Sequence, residues 1–230
     1  MLDFRRFRVL TFDCYGTLID WESGILGALR PLLAAHGKSL PDEKLLELYG
    51  ELEAEAEAGA YQSYRKVLQS VARGAGRRLG FEASEQETRS LPESLKNWQP
   101  FPDTVAALGK LKGRFKLAII SNTDDDLFAD TARLLEVPFD GVITAQQAGS
   151  YKPSHRNFKL ALERIALPPA QVLHCAQSIY HDVIPARALG LATVWVNRRG
   201  AKGGGATKAA RGQPDLVVPD LKTLAELAVG

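Results

Sequence analysis

The sequence predicts an α/β fold: an open parallel sheet covered by helices on both faces, with a helical insert after its first strand. Three observations lead there. Short apolar runs rich in β-branched residues recur at 8–13 (RVLTFD), 117–122 (LAIISN), 141–144 (GVIT), 172–176 (VLHCA) and 193–197 (TVWVN), with a weaker one at 216–218. Strands so continuously apolar are buried on both faces, as in a sheet between helical layers. Helical patterns alternate with them at 104–111, 125–135, 155–165, 183–189 and 221–227, and strand alternating with helix builds right-handed parallel crossovers. The stretch 21–98 breaks that rhythm: it holds no convincing strand but has amphipathic helical segments at 24–36, 42–57, 63–79 and 85–95.

Composition agrees with this architecture. The chain has 230 residues, 45% hydrophobic and 24% charged, enough to bury a core without covalent staples. Two cysteines, Cys14 and Cys175, exclude a disulfide scaffold and suit a reducing compartment. A net charge of +2 gives no general pull toward nucleic acid or a membrane surface. Residues 1–8 are basic, but the apolar run after them ends at Asp13, too short for a secretory signal. No stretch approaches the roughly 20 apolar residues of a membrane span. The expectation is a cytoplasmic protein with neither nucleic acid nor membrane as partner.

Three segments call for a decision. The Glu- and Ala-rich piece 51–60 reads as a solvated helix face in preference to an acidic partner surface. The Gly-, Ala-, Lys- and Arg-rich piece 198–213 reads as a mobile loop in preference to an anion dock. Gly203-Gly204-Gly205 is no phosphate loop, because no Lys-Ser/Thr pair follows at the required spacing.

In open α/β sheets, ligands bind beyond the carboxyl ends of the strands. The first strand delivers Asp13, then Cys14-Tyr15-Gly16-Thr17. The second delivers Ser121-Asn122, Lys152 follows the third, and the fourth ends in Gln177-Ser178 with His181-Asp182 beyond. Alone, an aspartate after a strand is commonly a helix cap. Together these clusters read as a reaction site in which Asp13 is a nucleophile kept charged by Lys152. Gly16 lets the backbone turn its amides inward, and Ser121 and Asn122 offer donors to a bound anion. His181 reads either as a base or as a pocket wall. The run Asp124-Asp125-Asp126 reads as capping and dipole complement in preference to a metal cluster. His36, His155 and His174 have no zinc spacing.

The segment FDCYGTLID, the Ser121-Asn122 pair, Lys152 within YKP, and Asp182 resemble, in order and spacing, the four motifs of the haloacid dehalogenase superfamily. The resemblance implies a Rossmann-like core over 1–19 and 99–230, with a small helical cap domain over 20–98. Phosphatases of the superfamily carry a second aspartate two residues after the nucleophile. Here that position is Tyr15, as in its 2-haloacid dehalogenases, although Tyr15 also reads as an aromatic plug beside the sheet. A site with fewer carboxylates binds Mg²⁺ poorly and suits a monoanion attacked at carbon. The implied activity is metal-independent hydrolysis of short 2-haloalkanoic acids, with no cofactor. Asp13 would form an ester with inversion at C2, Thr17 would support Asp13, and Lys152 and Asp182 would stand beside it. Cys14, Tyr15, Ser121, Asn122 and Gln177 would contact the substrate. A homodimer is implied by the resemblance only. A phosphatase or other hydrolase of the same superfamily, and a weakly catalytic binding protein, are the competing readings.

The sequence departs from that group at several places. An arginine expected on the cap after a Leu-aromatic pair is replaced in Leu48-Tyr49-Gly50, which leaves Arg65, in Tyr64-Arg65-Lys66, as the substitute halide clamp. A tyrosine expected six residues after Lys152 is Phe158, and a Ser-Ser-Asn stretch is replaced by Gln177-Ser178-Ile179.

Overall fold

The protein is described here by a computed structural model, which covers residues 2–201 and 205–230. Met1, Lys202 and the Gly203-Gly204 part of the glycine run lie outside the described residues. Strand β1 (Val9–Phe12) leads into four helices, α1 (Trp21–Ala35), α2 (Asp42–Glu57), α3 (Tyr64–Leu79) and α4 (Glu85–Ser94). Then follow α5 (Thr104–Lys112), β2 (Lys116–Ser121), α6 (Asp125–Leu135), β3 (Gly141–Thr144), α7 (Ala145–Ala148) and α8 (His155–Ile165). The chain ends with β4 (Val172–Ala176), α9 (Ile184–Ala188), β5 (Ala192–Val196), β6 (Leu216–Val218) and α10 (Leu221–Val229).

Within the described residues the strands form one parallel sheet in the order β3-β2-β1-β4-β5-β6. Its central residues Leu10, Phe12, Leu117, Ile119, Leu173 and Val194 are fully buried, as the apolar runs predict. The winding reverses between β1 and β4, so a crevice opens beyond their carboxyl ends. Phe12 pairs with Ile119 on one side and Cys175 on the other. That register brings Asp13, the next residue, level with the ends of both neighbouring strands.

Helices α1 to α4 pack on one another and return the chain to where it left the sheet. Asp20 caps α1 by accepting Ser23 N–H at 3.3 Å, and Ile25, Leu29, Leu32 and Leu33 form its buried stripe. Ser84 and Glu87 form a capping box at the start of α4. The two connecting segments are themselves paired, Asp20 N–H donating to Gln99 O at 2.9 Å and Phe101 N–H to Leu18 O at 3.0 Å. Helix α3 takes its cap from elsewhere: the Asp124 carboxylate accepts both Tyr64 N–H and Arg65 N–H at 2.9 Å. The aspartate run thus caps a helix, as expected, but α3 rather than the helix it precedes.

The helix expected at 183–189 forms as α9, and a π-helical turn, Ile179–Val183, precedes it and carries Asp182; a wide turn at a functional site is a recurrent device. The piece 198–213, read as a mobile loop, has no helix or strand among its described residues, but it is anchored at Arg198, Arg199 and Thr207. Arg198 donates to Thr17 O at 2.9 Å and to Asp103 at 2.6 Å, Arg199 pairs with Glu22 and Glu43, and Thr207 donates to Gln177 Oε1 at 3.1 Å. Both arginines are engaged by carboxylates, so neither offers an open anion dock.

Candidate active site

Asp13 stands at the mouth of the crevice, and both its oxygens are held. Lys152 Nζ donates to Oδ1 at 2.8 Å, and Thr17 Oγ1 donates to Oδ2 at 2.7 Å. Thr17 is oriented in turn by Gln177 N–H at 2.9 Å. Each carboxylate oxygen keeps a second lone pair for attack. The turn after Asp13 requires glycine at position 16: φ is +91°, and a Cβ there would lie 2.9 Å from Trp21 Nε1.

Lys152 carries the electrostatics. It is 2% exposed, and its remaining donors go to Asp182 Oδ1 at 2.7 Å and Ile120 O at 2.9 Å. Burial alone would push its pKa down, but Asp13 and Asp182 outweigh that and hold it up. Asn122 fixes the lysine backbone, accepting Lys152 N–H at 2.7 Å and donating to Lys152 O at 3.2 Å. Behind Asp182, His174 Nε2 lies 3.0 Å from Oδ1, and Thr11 Oγ1 lies 2.9 Å from His174 Nδ1. Phe158, fully buried, packs edge-on against the His174 ring. Burial pushes the Asp182 carboxyl up, yet Lys152 and His174 bring it below its ordinary value. For Asp13, burial dominates and raises it, against the pull of Lys152.

A small inner cavity, ≈ 50 Å³, is lined by Asp13, Tyr15, Ser121, Asn122, Lys152, Gln177, His181 and Asp182 from the sheet side. Trp21, Glu53, Glu57 and Tyr64 line it from the helical segment. Two of its lining residues each carry a polar atom without a partner. Ser121 Oγ and Asp182 Oδ2 are buried and have no hydrogen-bond partner among the described residues. Tyr15 turns its hydroxyl to Thr131 Oγ1 at 2.9 Å and its ring edge to Trp98. His181 lines the cavity, and burial pulls its pKa down to about 4, so its imidazole is neutral at pH 7.

Two predicted residues do not turn their side chains to the cavity. The Cys14 side chain is fully buried in the apolar core, which leaves its backbone amide as the group it could offer a substrate. Alternation along the chain sends the side chain to the opposite face from Asp13. Arg65 also stays outside, where its guanidinium donates to Asp126 at 2.6 Å on the surface. The place of the missing cap arginine is closed as well, because a Cβ on Gly50 would lie 2.4 Å from Ala206 O.

Glu53 and Glu57 are the site residues that sequence reasoning missed. The segment read as solvated turns these two carboxyls inward. Tyr49, buried on the same helix, is four residues before Glu53 and eight before Glu57. That i, i+4, i+8 stripe was the available signal. Glu53 Oε1 accepts Tyr49 Oη at 2.8 Å and Tyr64 Oη at 2.6 Å. Burial raises the pKa of Glu53, and burial together with Glu53 pushes Glu57 up to about 9.

Residues 7–190 match the haloacid dehalogenase-like hydrolase family. The chain is 29% identical over 198 residues to the (S)-2-haloacid dehalogenase H-109 of Pseudomonas putida, covering 84% of this chain and 86% of that one. It is 28% identical over 226 residues to an (S)-2-haloacid dehalogenase of Pseudomonas sp. (strain YL), covering 95% and 93%. A crystal structure of an L-2-haloacid dehalogenase superposes with a TM-score of 0.81 at 27% identity, over 96% of this chain and 99% of the other. The match over residues 7–190 and the parallel sheet that sets Asp13 beside Lys152 lead to one assignment: the chain belongs to the haloacid dehalogenase-like hydrolase family.

Proposed function

We propose that the protein hydrolyses the carbon–halogen bond of 2-haloalkanoic acids without a metal ion. The observation that carries this reading is Tyr15, which lines the cavity beside Asp13 where a second aspartate would follow the nucleophile in a phosphatase. Lys152 spans Asp13 and Asp182 at 2.8 and 2.7 Å and supplies the positive charge beside the nucleophile. The names of the similar proteins support the same substrate class.

In the proposed reaction Asp13 attacks C2 from the side opposite the halogen. The C–O bond forms as the carbon–halogen bond breaks, giving an aspartyl ester, inverted carbon and free halide. Ser121 Oγ is the free donor for the substrate carboxylate. Water then attacks the aspartyl carbonyl carbon, with Asp182 Oδ2 as the open acceptor for its proton. The ester C–O bond to Asp13 breaks, the leaving alkoxide takes the proton back from Asp182 and departs as the 2-hydroxy acid, and the Asp13 carboxyl loses its proton to solvent and is restored as the carboxylate. Residues 20–98 act in this scheme as a cap domain over a core of 1–19 and 99–230.

The test is halide release from chloroacetate, fluoroacetate and 2-chloropropionate with EDTA present, beside a phosphatase assay with Mg²⁺. Chloride release indifferent to EDTA, and abolished in a folded Asp13→Asn variant, is the expected result. Phosphate release that needs Mg²⁺, with no halide release, would overturn the proposal in favour of a phosphatase.

A further inference from the structure

Back-side attack by Asp13 fixes where the halogen must point. Nucleophile, C2 and leaving atom lie in line, so the halogen faces away from the strand ends. The wall on that side is the helical one: Trp21, Glu53, Glu57 and Tyr64. A departing halide carries a full negative charge and needs donors there. The donors that the sequence suggests are all engaged or absent. Gly50 has no room for an arginine, and Arg65 is held outside by Asp126. Asn122 is tied at both ends of its amide to the Lys152 backbone. The Lys152 ammonium is filled by Asp13, Asp182 and Ile120 O.

Two groups on the helical wall are free. Of the three indoles, Trp98 donates to Ser94 Oγ at 3.0 Å and Trp195 to Gln177 O at 2.8 Å. The Trp21 N–H, by contrast, has no acceptor among the described residues. The other free group is Glu57, whose carboxyl makes no hydrogen bond among the described residues. Glu53, one helical turn before it, has two phenol donors on one oxygen, Tyr49 at 2.8 Å and Tyr64 at 2.6 Å. Donors favour the charged form of a carboxyl, and two carboxyls in one half-buried passage resist ionising together. Glu57, the one without donors, therefore keeps the proton, in line with its rise to about 9 under burial and the Glu53 charge. A protonated carboxyl is an O–H donor.

We infer that the leaving halide is received on this wall by two neutral donors, the Trp21 indole N–H and the Glu57 carboxyl O–H, which take the place of the absent arginine. The inference rests on the proposed 2-haloacid reaction. As the carbon–halogen bond breaks, its electron pair goes to the halide. Each donor keeps its own proton, because a hydrogen halide is a stronger acid than either group. Once Glu57 ionises it becomes an acceptor and repels the halide, so ester formation slows at alkaline pH.

The groups around Glu57 leave that alkaline step to it. Lys152 faces it and opposes the shift, while Asp13 and Asp182 are tied to Lys152. His181 is neutral throughout this range, and burial raises Tyr61, Tyr64 and Tyr151 above their ordinary values. Tyr180 and Lys208 line the outer cavity and stack on each other there.

The experiment measures kcat/KM for halide release from 2-chloropropionate and 2-bromopropionate across pH 6–10, in wild type, Glu57→Gln and Trp21→Phe. This ratio reads the first irreversible step, which is departure of the halide. Wild type is expected to lose about tenfold on 2-chloropropionate between pH 7 and pH 10. Glu57→Gln, whose amide donates but does not ionise, should start about threefold lower at pH 7 and stay flat to pH 10. Trp21→Phe should lose about tenfold on the chloro acid but about threefold on the bromo acid, because the smaller halide gains more from a donor. A comparison of two substrates within one variant is blind to loss of folded enzyme. A flat wild-type profile, an alkaline fall kept in Glu57→Gln, or an unchanged chloro-to-bromo ratio in Trp21→Phe would overturn the assignment while leaving the dehalogenase reading intact. No halide release by wild type at any pH would overturn the dehalogenase reading, and this inference with it.

Discussion

Lys152 Nζ lies 2.8 Å from Asp13 Oδ1, with the two side chains 1% and 10% exposed. A buried charge without its partner costs far more than the pair gains over an apolar replacement. Lys152→Met leaves Asp13 and Asp182 facing each other with no cation between them. The expected loss is about 3–5 kcal/mol of stability at pH 7, together with turnover. Without the lysine, Asp13, already above its ordinary value, is pushed higher, and Asp182 loses the cation that holds it down. Urea denaturation should then find part of the loss recovered at pH 5.

His181 sets a pH-dependent contribution of known sign. Its pKa falls from 6.5 to about 4 because burial disfavours the imidazolium, with Asp182 opposing and Lys152 and Lys208 assisting. Between those values the unfolded chain binds more protons than the folded one, so stability falls as pH drops from 6.5 toward 4. Above 6.5 both states are neutral at this residue and the contribution is flat. Allowing for partial exposure, it amounts to about 2 kcal/mol. Denaturation of wild type and His181→Phe across pH 4–7.5 checks it: the difference between the curves should grow on acidification.

Gly50 decides whether the absent arginine could be put back. A Cβ there would meet Ala206 O at 2.4 Å, a backbone atom that cannot swing aside. Gly50→Arg is expected to displace the segment around Ala206, cost about 1–3 kcal/mol and leave halide release no faster. Thermal melting and steady-state kinetics of the variant measure both effects.

Arg65→Ala should do little. Its partner Asp126 is 66% exposed and the pair lies on the surface, where such bridges contribute about 0–1 kcal/mol. Unchanged kcat and KM for 2-chloropropionate are the expected readings, against the sequence-based expectation that this arginine holds the halide.

Much of the fold was legible because its signals are local. β-branched apolar runs can only bury themselves in a covered sheet, and all of those named became strands within one or two residues of their expected bounds. Asp13, Lys152 and Asp182 were legible because each follows a strand whose carboxyl end faces the crevice. The π-helical turn at Ile179–Val183 was not, since a wide turn and an ordinary helix share the same apolar spacing over one turn.

By itself, the sequence determined the parallel sheet, the helical segment after β1 and the strand-end residues of the site, because backbone propensity and apolar periodicity act over a few residues. Only the tertiary structure decided where charged side chains point. Arg65 turns out to Asp126, Arg199 reaches across to Glu22 and Glu43, and Glu53 turns in to two tyrosines from a stretch that reads as solvated. A long charged side chain carries no periodic mark of its partner. Coulomb attraction and desolvation depend on distances between residues far apart in the chain, and those distances exist only once the helices have packed.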